Sequence, residues 1–138
     1  MITEVSDTRE KRLFKRIADS FFVTYKVKAP FEVHIQYRDK DCEAIAEDLE
    51  EGGMGLLTNF DIPVGTLIHL KFRLFNATAL LESEKSRLFM LDGEVRYKVF
   101  TQDNAYRLGV RFMDISSQDK AFIARYVNDQ PLGGAPEI

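Results

Sequence analysis

From Ile68 to Leu74 the sequence alternates strictly, with Ile68, Leu70, Phe72 and Leu74 apolar and His69, Lys71 and Arg73 polar between them. A period of two puts these sets on opposite faces of an extended strand, one buried and one wet. The same period recurs along most of the chain. Phe21, Val23, Tyr25 and Val27 alternate with Phe22, Thr24 and Lys26, and after Pro30 a second run, Val33, Ile35 and Tyr37, continues the pattern as one interrupted strand or as two. Glu43–Leu49 and Met54–Asn59 form a further pair around the turn Glu51-Gly52-Gly53, and Ile62-Pro63-Val64-Gly65 is another turn. Leu91–Phe100 and Tyr106–Phe112 are joined by the polar turn Thr101–Asn104. The period then changes: Phe122, Ile123, Tyr126 and Val127 make a helical stripe, with Ser116 as N-cap and Asp119 three residues on, a capping-box arrangement. Six or seven short strands followed by one amphipathic helix predict an all-β fold, a small antiparallel barrel with a helical plug.

Asn76–Arg87 breaks the alternation and is long for a hairpin loop, so it is an insertion or a short helix. Its adjacent Leu80 and Leu81 either meet a protein partner or fold back on the barrel. Phe21, Phe22 and Tyr25, at strand spacing, are expected in the core. Residues 1–19 read as a flexible arm, 20–128 as barrel and helix, and 129–138 as a disordered tail. One domain of 138 residues suits this plan, and the 45% hydrophobic content, with 11 Phe and 5 Tyr, supplies its core.

Several function classes are disfavoured. A net charge of −3 gives no global field to gather nucleic-acid polymers. The single cysteine, Cys42, excludes an internal disulfide, and with no histidine near it in sequence it reads as a free thiol. His34 and His69 sit on alternating segments, without spacing that gathers a metal. No catalytic residue, metal site or cofactor is expected, so the chain reads as a non-enzyme. The polar N-terminus and the lack of a long apolar run predict no signal peptide, no membrane insertion and a cytoplasmic location.

Two segments carry recognition chemistry. RLFKR, Arg12–Arg16, sets two arginines four residues apart, and EDLEEGG spans Glu47–Gly53. A guanidinium can grip guanine O6 and N7, pair with a phosphate, or stack on a purine. A carboxylate such as Asp48 accepts from guanine N–H donors. Asp48 lies on a strand whose small residues Ala44 and Ala46 share its face, and Gly52 and Gly53 permit a tight turn and close approach. Taken singly, RxxxR is a solvated charge run and the second segment an ordinary acidic hairpin.

Their order separates the readings. RxxxR precedes a strand, a strand–(D/N)xxxxG–strand hairpin follows, and then come Gly65, LDGEV at Leu91–Val95 and LGVRF at Leu108–Phe112 before the final helix. Over roughly residues 9 to 128 this resembles the PilZ domain, whose signature is RxxxR followed by (D/N)xSxxG. The resemblance implies a six-stranded antiparallel β-barrel with one C-terminal amphipathic α-helix, and a bacterial cytoplasmic receptor for cyclic di-GMP. It implies Arg12, Arg16, Asp48 and Gly53 as ligand contacts, with Glu50 at the serine position. Glutamate is longer, anionic and acceptor-only when ionised. Like charges about 4 Å apart repel by roughly 4 kcal/mol at an effective dielectric near 20, less where solvent screens them. Glu50 weakens binding, accepts guanine donors beside Asp48, or pairs with Arg12 or Arg16. The leading expectation is a ligand-sensing adaptor whose N-terminal arm orders on binding and creates a surface for an unidentified protein partner. The alternative is a degenerate PilZ-like interaction module that binds no nucleotide and links Asp48, Glu50 and Arg16 in a salt-bridge network.

Overall fold

The computed structural model of the chain describes residues 20–76 and 79–129. Six strands, β1 (Phe21–Ala29), β2 (Cys42–Glu50), β3 (Gly53–Thr58), β4 (Leu67–Phe75), β5 (Ser86–Phe100) and β6 (Tyr106–Met113), close into a barrel in the order β1-β2-β3-β6-β5-β4. Every pairing is antiparallel. Helix α1 (Phe31–Tyr37) follows β1, and α2 (Ser117–Asp129) follows β6. The six-stranded antiparallel barrel with a C-terminal helix agrees with the sequence.

The alternation in β4 is realised as read: Ile68, Leu70, Phe72 and Leu74 are buried, and Lys71 and Arg73 are exposed. Opposite them, Val23, Tyr25 and Val27 of β1 and Leu108, Val110 and Phe112 of β6 fill the same interior. Closure leaves no strand at a sheet edge, so each of the six strands pairs with a neighbour on both sides. At one end Phe72 stacks on Phe89 at 5.0 Å, and Phe89 meets Phe122 of α2 edge-on at 5.7 Å. Phe122, Ile123, Tyr126 and Val127 are the buried face of α2, as its stripe requires. Ser116 Oγ accepts the Asp119 N–H at 3.0 Å and caps the helix. The Asp119 carboxylate reaches instead to Arg87 of β5, at 2.8 and 2.9 Å.

Four expectations are corrected. Val33, Ile35 and Tyr37 belong to α1, not to a strand. Pro30 precedes the helix, where a fixed φ and a missing N–H cost nothing. Val33 is buried and Tyr37, one turn on, packs edge-on against Phe60, while Phe31 and Ile35 face outward. His34 is therefore helical, with Nδ1 2.9 Å from the Val27 carbonyl oxygen. Phe22 stands on the outer face of β1, 81% exposed, while Phe21 and Tyr25 pack inward. The strand expected at Leu91–Phe100 begins earlier, at Ser86, while among the described residues of Asn76–Arg87 the short-helix alternative is met by the 3₁₀ turn Glu82–Glu84. Cys42 is a free, buried thiol.

Candidate functional site

The fourth correction concerns the face that Asp48 occupies. Ala44 and Ala46 point into the barrel, but the β2–β3 register shifts between Ala46 and Asp48. One extra residue in a strand reverses which side chains face the core beyond it. Leu49 takes the interior position, and Asp48 and Glu50 emerge together on the outer surface, only partly covered. A second shift, between Val95 and Tyr97, does the same to β5.

The two bulges lie in one row across four strands, in which Asp48 pairs with Gly55, Gly55 with Gly109, and Gly109 with Tyr97. The glycines between carboxylate and phenol leave a flat floor of backbone. A Cβ on Gly109 would collide with the Tyr97 ring, and one on Gly55 would lie 2.8 Å from Asp48 Oδ1. The ring and the carboxylate thus occupy the space that side chains would take. The resulting open surface cleft has a volume of about 340 Å³ and is bordered by Glu50, Gly53, Arg96 and Arg111. That volume falls at the lower end of the range for small-ligand sites.

Gly52 and Gly53 do not serve the turn by adopting a left-handed backbone; among the described glycines only Gly65 has positive φ, +94°. Gly52 has open space around it. Gly53 is needed for close approach, since a Cβ there would strike the Val110 carbonyl oxygen of β6.

The charge distribution is mixed. Arg107 Nη2 lies 2.8 Å from Asp48 Oδ2, and Nη1 donates to Glu47 Oε1. Burial lowers the Arg107 pKa, but the Asp48 and Glu47 carboxylates more than offset this, and the guanidinium is held more firmly charged than usual. Burial, then the charges of Asp48 and Glu51, push the Glu50 carboxyl above its ordinary value. Glu50 has no ion pair among the described residues. No group of three metal-ligating side chains occurs among them either, and no described helix is long and apolar enough to cross a membrane.

Of the residues expected from sequence, Asp48, Glu50 and Gly53 meet in this cleft. Arg12 and Arg16 lie outside the described residues, as does any contact between Arg16 and the acidic pair. Sequence reasoning passed over Gly55, Tyr97, Arg107 and Gly109. A signal was available in the spacing of Arg107, Gly109 and Arg111, which share one face of β6 in a segment already noted for its order in the chain.

The family model of the PilZ domain matches residues 10–129. No curated protein matches the chain significantly by sequence. Among solved structures, the inhibitor of motility MotI/DgrA of Bacillus subtilis superposes with a TM-score of 0.62 at 15% identity, covering 85% of this chain and 49% of that one. The PilZ domain of Escherichia coli YcgR, solved with c-di-GMP, gives 0.54 at 19% identity and covers 87% and 90%. The YcgR complex with c-di-GMP gives 0.55 at 18% identity, covering 85% of this chain and 44% of that one. This chain thus spans about half the length of the Bacillus protein and of that YcgR chain. At these identities the likeness establishes the fold.

Proposed function

The chain belongs to the PilZ domain family, and from that premise we propose that it is a non-catalytic, cytoplasmic receptor for cyclic di-GMP. The glycine floor between Asp48 and Tyr97 carries the reading. The Tyr97 ring rests over Gly109 and is half exposed, so a flat purine can stack on its outer face, an interaction worth about 1–3 kcal/mol per base. An ionised carboxylate has about four lone-pair sites, so Asp48 can accept guanine N–H donors while paired with Arg107. Arg96 and Arg111 border the cleft, and Arg12 and Arg16 of the N-terminal arm add the positive charge that two phosphates and Glu50 require. Ligand then draws residues 1–19 against the barrel, and the ordered arm presents a surface to a protein partner.

A second reading rests on Glu50, half-buried beside Asp48 and Glu51 where the family signature has serine. There the chain is an interaction module that takes no nucleotide, and Arg107 satisfies Asp48 and Glu47 from within. Calorimetric titration with cyclic di-GMP separates the two. Saturable heat from the wild type, its loss in Arg12→Ala with unfolding unchanged, and binding at least about tenfold tighter in Glu50→Ser are expected of the receptor. A folded wild type that gives no heat with excess ligand establishes the second reading.

A further inference from the structure

On the outer face of β4 the side chains of Lys71 and Arg73 are exposed, and neither has a carboxylate partner among the described residues. Their neighbours across the β4–β5 ladder are apolar. Lys71 lies opposite Met90, which is 57% exposed, and Arg73 lies opposite Leu88, also exposed. Elsewhere on the same face lysines are neutralised: Lys28 meets Asp92 at 2.8 Å, a carboxylate that also contacts His69 Nδ1 at 2.8 Å, and Lys26 meets Asp41 at 2.9 Å. The Lys71–Arg73 region is therefore a grid of unpaired positive charge and apolar surface. The connection that leaves this hairpin has the opposite chemistry. Leu80 and Leu81 are 97% and 60% exposed, and the next residue, Glu82, has a side chain 90% exposed. Glu82 approaches Lys85 only at 3.7 Å, an exposed pair of little energetic consequence.

We infer that the β4–β5 hairpin is a self-complementary interface with a second copy of this chain. The leucine pair of each protomer covers Leu88 and Met90 of its partner, and Glu82 meets Arg73. A two-fold interface requires that one patch carry both halves of each contact, and a cation-bearing face and an acidic, leucine-bearing connection on one hairpin meet that requirement. Adjacent leucines exposed to this degree are also what an unoccupied contact leaves in water. A membrane is a poorer occupant. Two unpaired cations contribute about 1 kcal/mol each at an anionic surface, and stable association takes several more. The cleft uses the other half of β5, at Arg96 and Tyr97, so pairing leaves it open in both protomers.

Sedimentation velocity on the full chain tests this, with circular dichroism to verify folding. The wild type should sediment as a concentration-dependent dimer. Arg73→Glu and Glu82→Arg, each acting twice in a symmetric pair, should each weaken association by at least about tenfold. An equimolar mixture of the two variants should recover the dimer, because only the mixed pair restores opposite charges at both contacts. A monomeric wild type overturns the inference, as does a dimer indifferent to both reversals or a mixture that stays monomeric. A wild-type monomer that co-sediments with anionic vesicles reassigns the face to a membrane and overturns it as well.

Discussion

Glu50 and Asp48 stand two residues apart on the same outer face, yet their electrostatic situations differ. Asp48 is compensated by Arg107 at 2.8 Å, whereas burial and the charges of Asp48 and Glu51 raise the pKa of Glu50. A carboxyl with a raised folded-state pKa binds its proton more tightly in the native state than in the unfolded chain. Its stabilising contribution is complete below the unfolded pKa and disappears as pH rises through the folded one. At neutral pH the ionised Glu50 is therefore a cost to the fold. Glu50→Gln should raise stability at neutral pH by on the order of 0.5 kcal/mol, small because solvent screens the site. The gain should fade as pH falls through the raised folded-state pKa and be gone below the unfolded value of about 4.3, where both proteins are neutral at this position. Urea midpoints of the two proteins at neutral and acidic pH provide the check, and a gap that persists in acid would trace the effect to shape rather than charge.

At the scale of elements, α2 is fastened to the barrel by its first turn. Ser116 caps the helix through the Asp119 N–H, and the Asp119 carboxylate binds Arg87, whose guanidinium lies 5.9 Å from both the Phe89 and Phe122 rings. Ser116→Ala should cost about 1 kcal/mol, the usual value for a lost cap, and Ser116→Asp should restore it; thermal unfolding of the three proteins reads this directly. This helix was legible in the sequence because its cap and its stripe agree. Helix α1 was not, because apolar residues at 31, 33, 35 and 37 satisfy a period of two while Val33 and Tyr37 alone make the buried helical pair. The bulge before Asp48 was equally hidden, since one inserted residue leaves no mark in composition and declares itself only when Leu49 turns inward. The acidic half of the cleft was visible as a motif on one hairpin. Arg107, 59 residues beyond Asp48, joins it through the β3–β6 pairing, which is a consequence of topology rather than of local pattern.

For the whole molecule, the pairings that close the barrel, β1 with β4 and β3 with β6, join segments distant in sequence. Neither persists unless the others form, which favours a single cooperative transition. Phe89 sits where barrel and helix share a core, stacked on Phe72 and edge-on to Phe122, with 1% of its surface exposed. Phe89→Ala should remove about 3–5 kcal/mol, the range for truncating a buried aromatic ring. That is a large part of the roughly 5–15 kcal/mol that keeps a domain folded. Because the ring touches both parts, the loss should appear equally in each. The chain contains no tryptophan, so tyrosine fluorescence, from barrel residues such as Tyr25 and from Tyr126 of α2, reports tertiary packing, while ellipticity at the helical band reports the helices, chiefly the 13-residue α2. Both signals should shift to lower urea by the same amount and stay coincident. Helical signal lost at lower urea than fluorescence in the variant would mean that α2 is an appendage of the barrel, with Phe89 only its point of attachment.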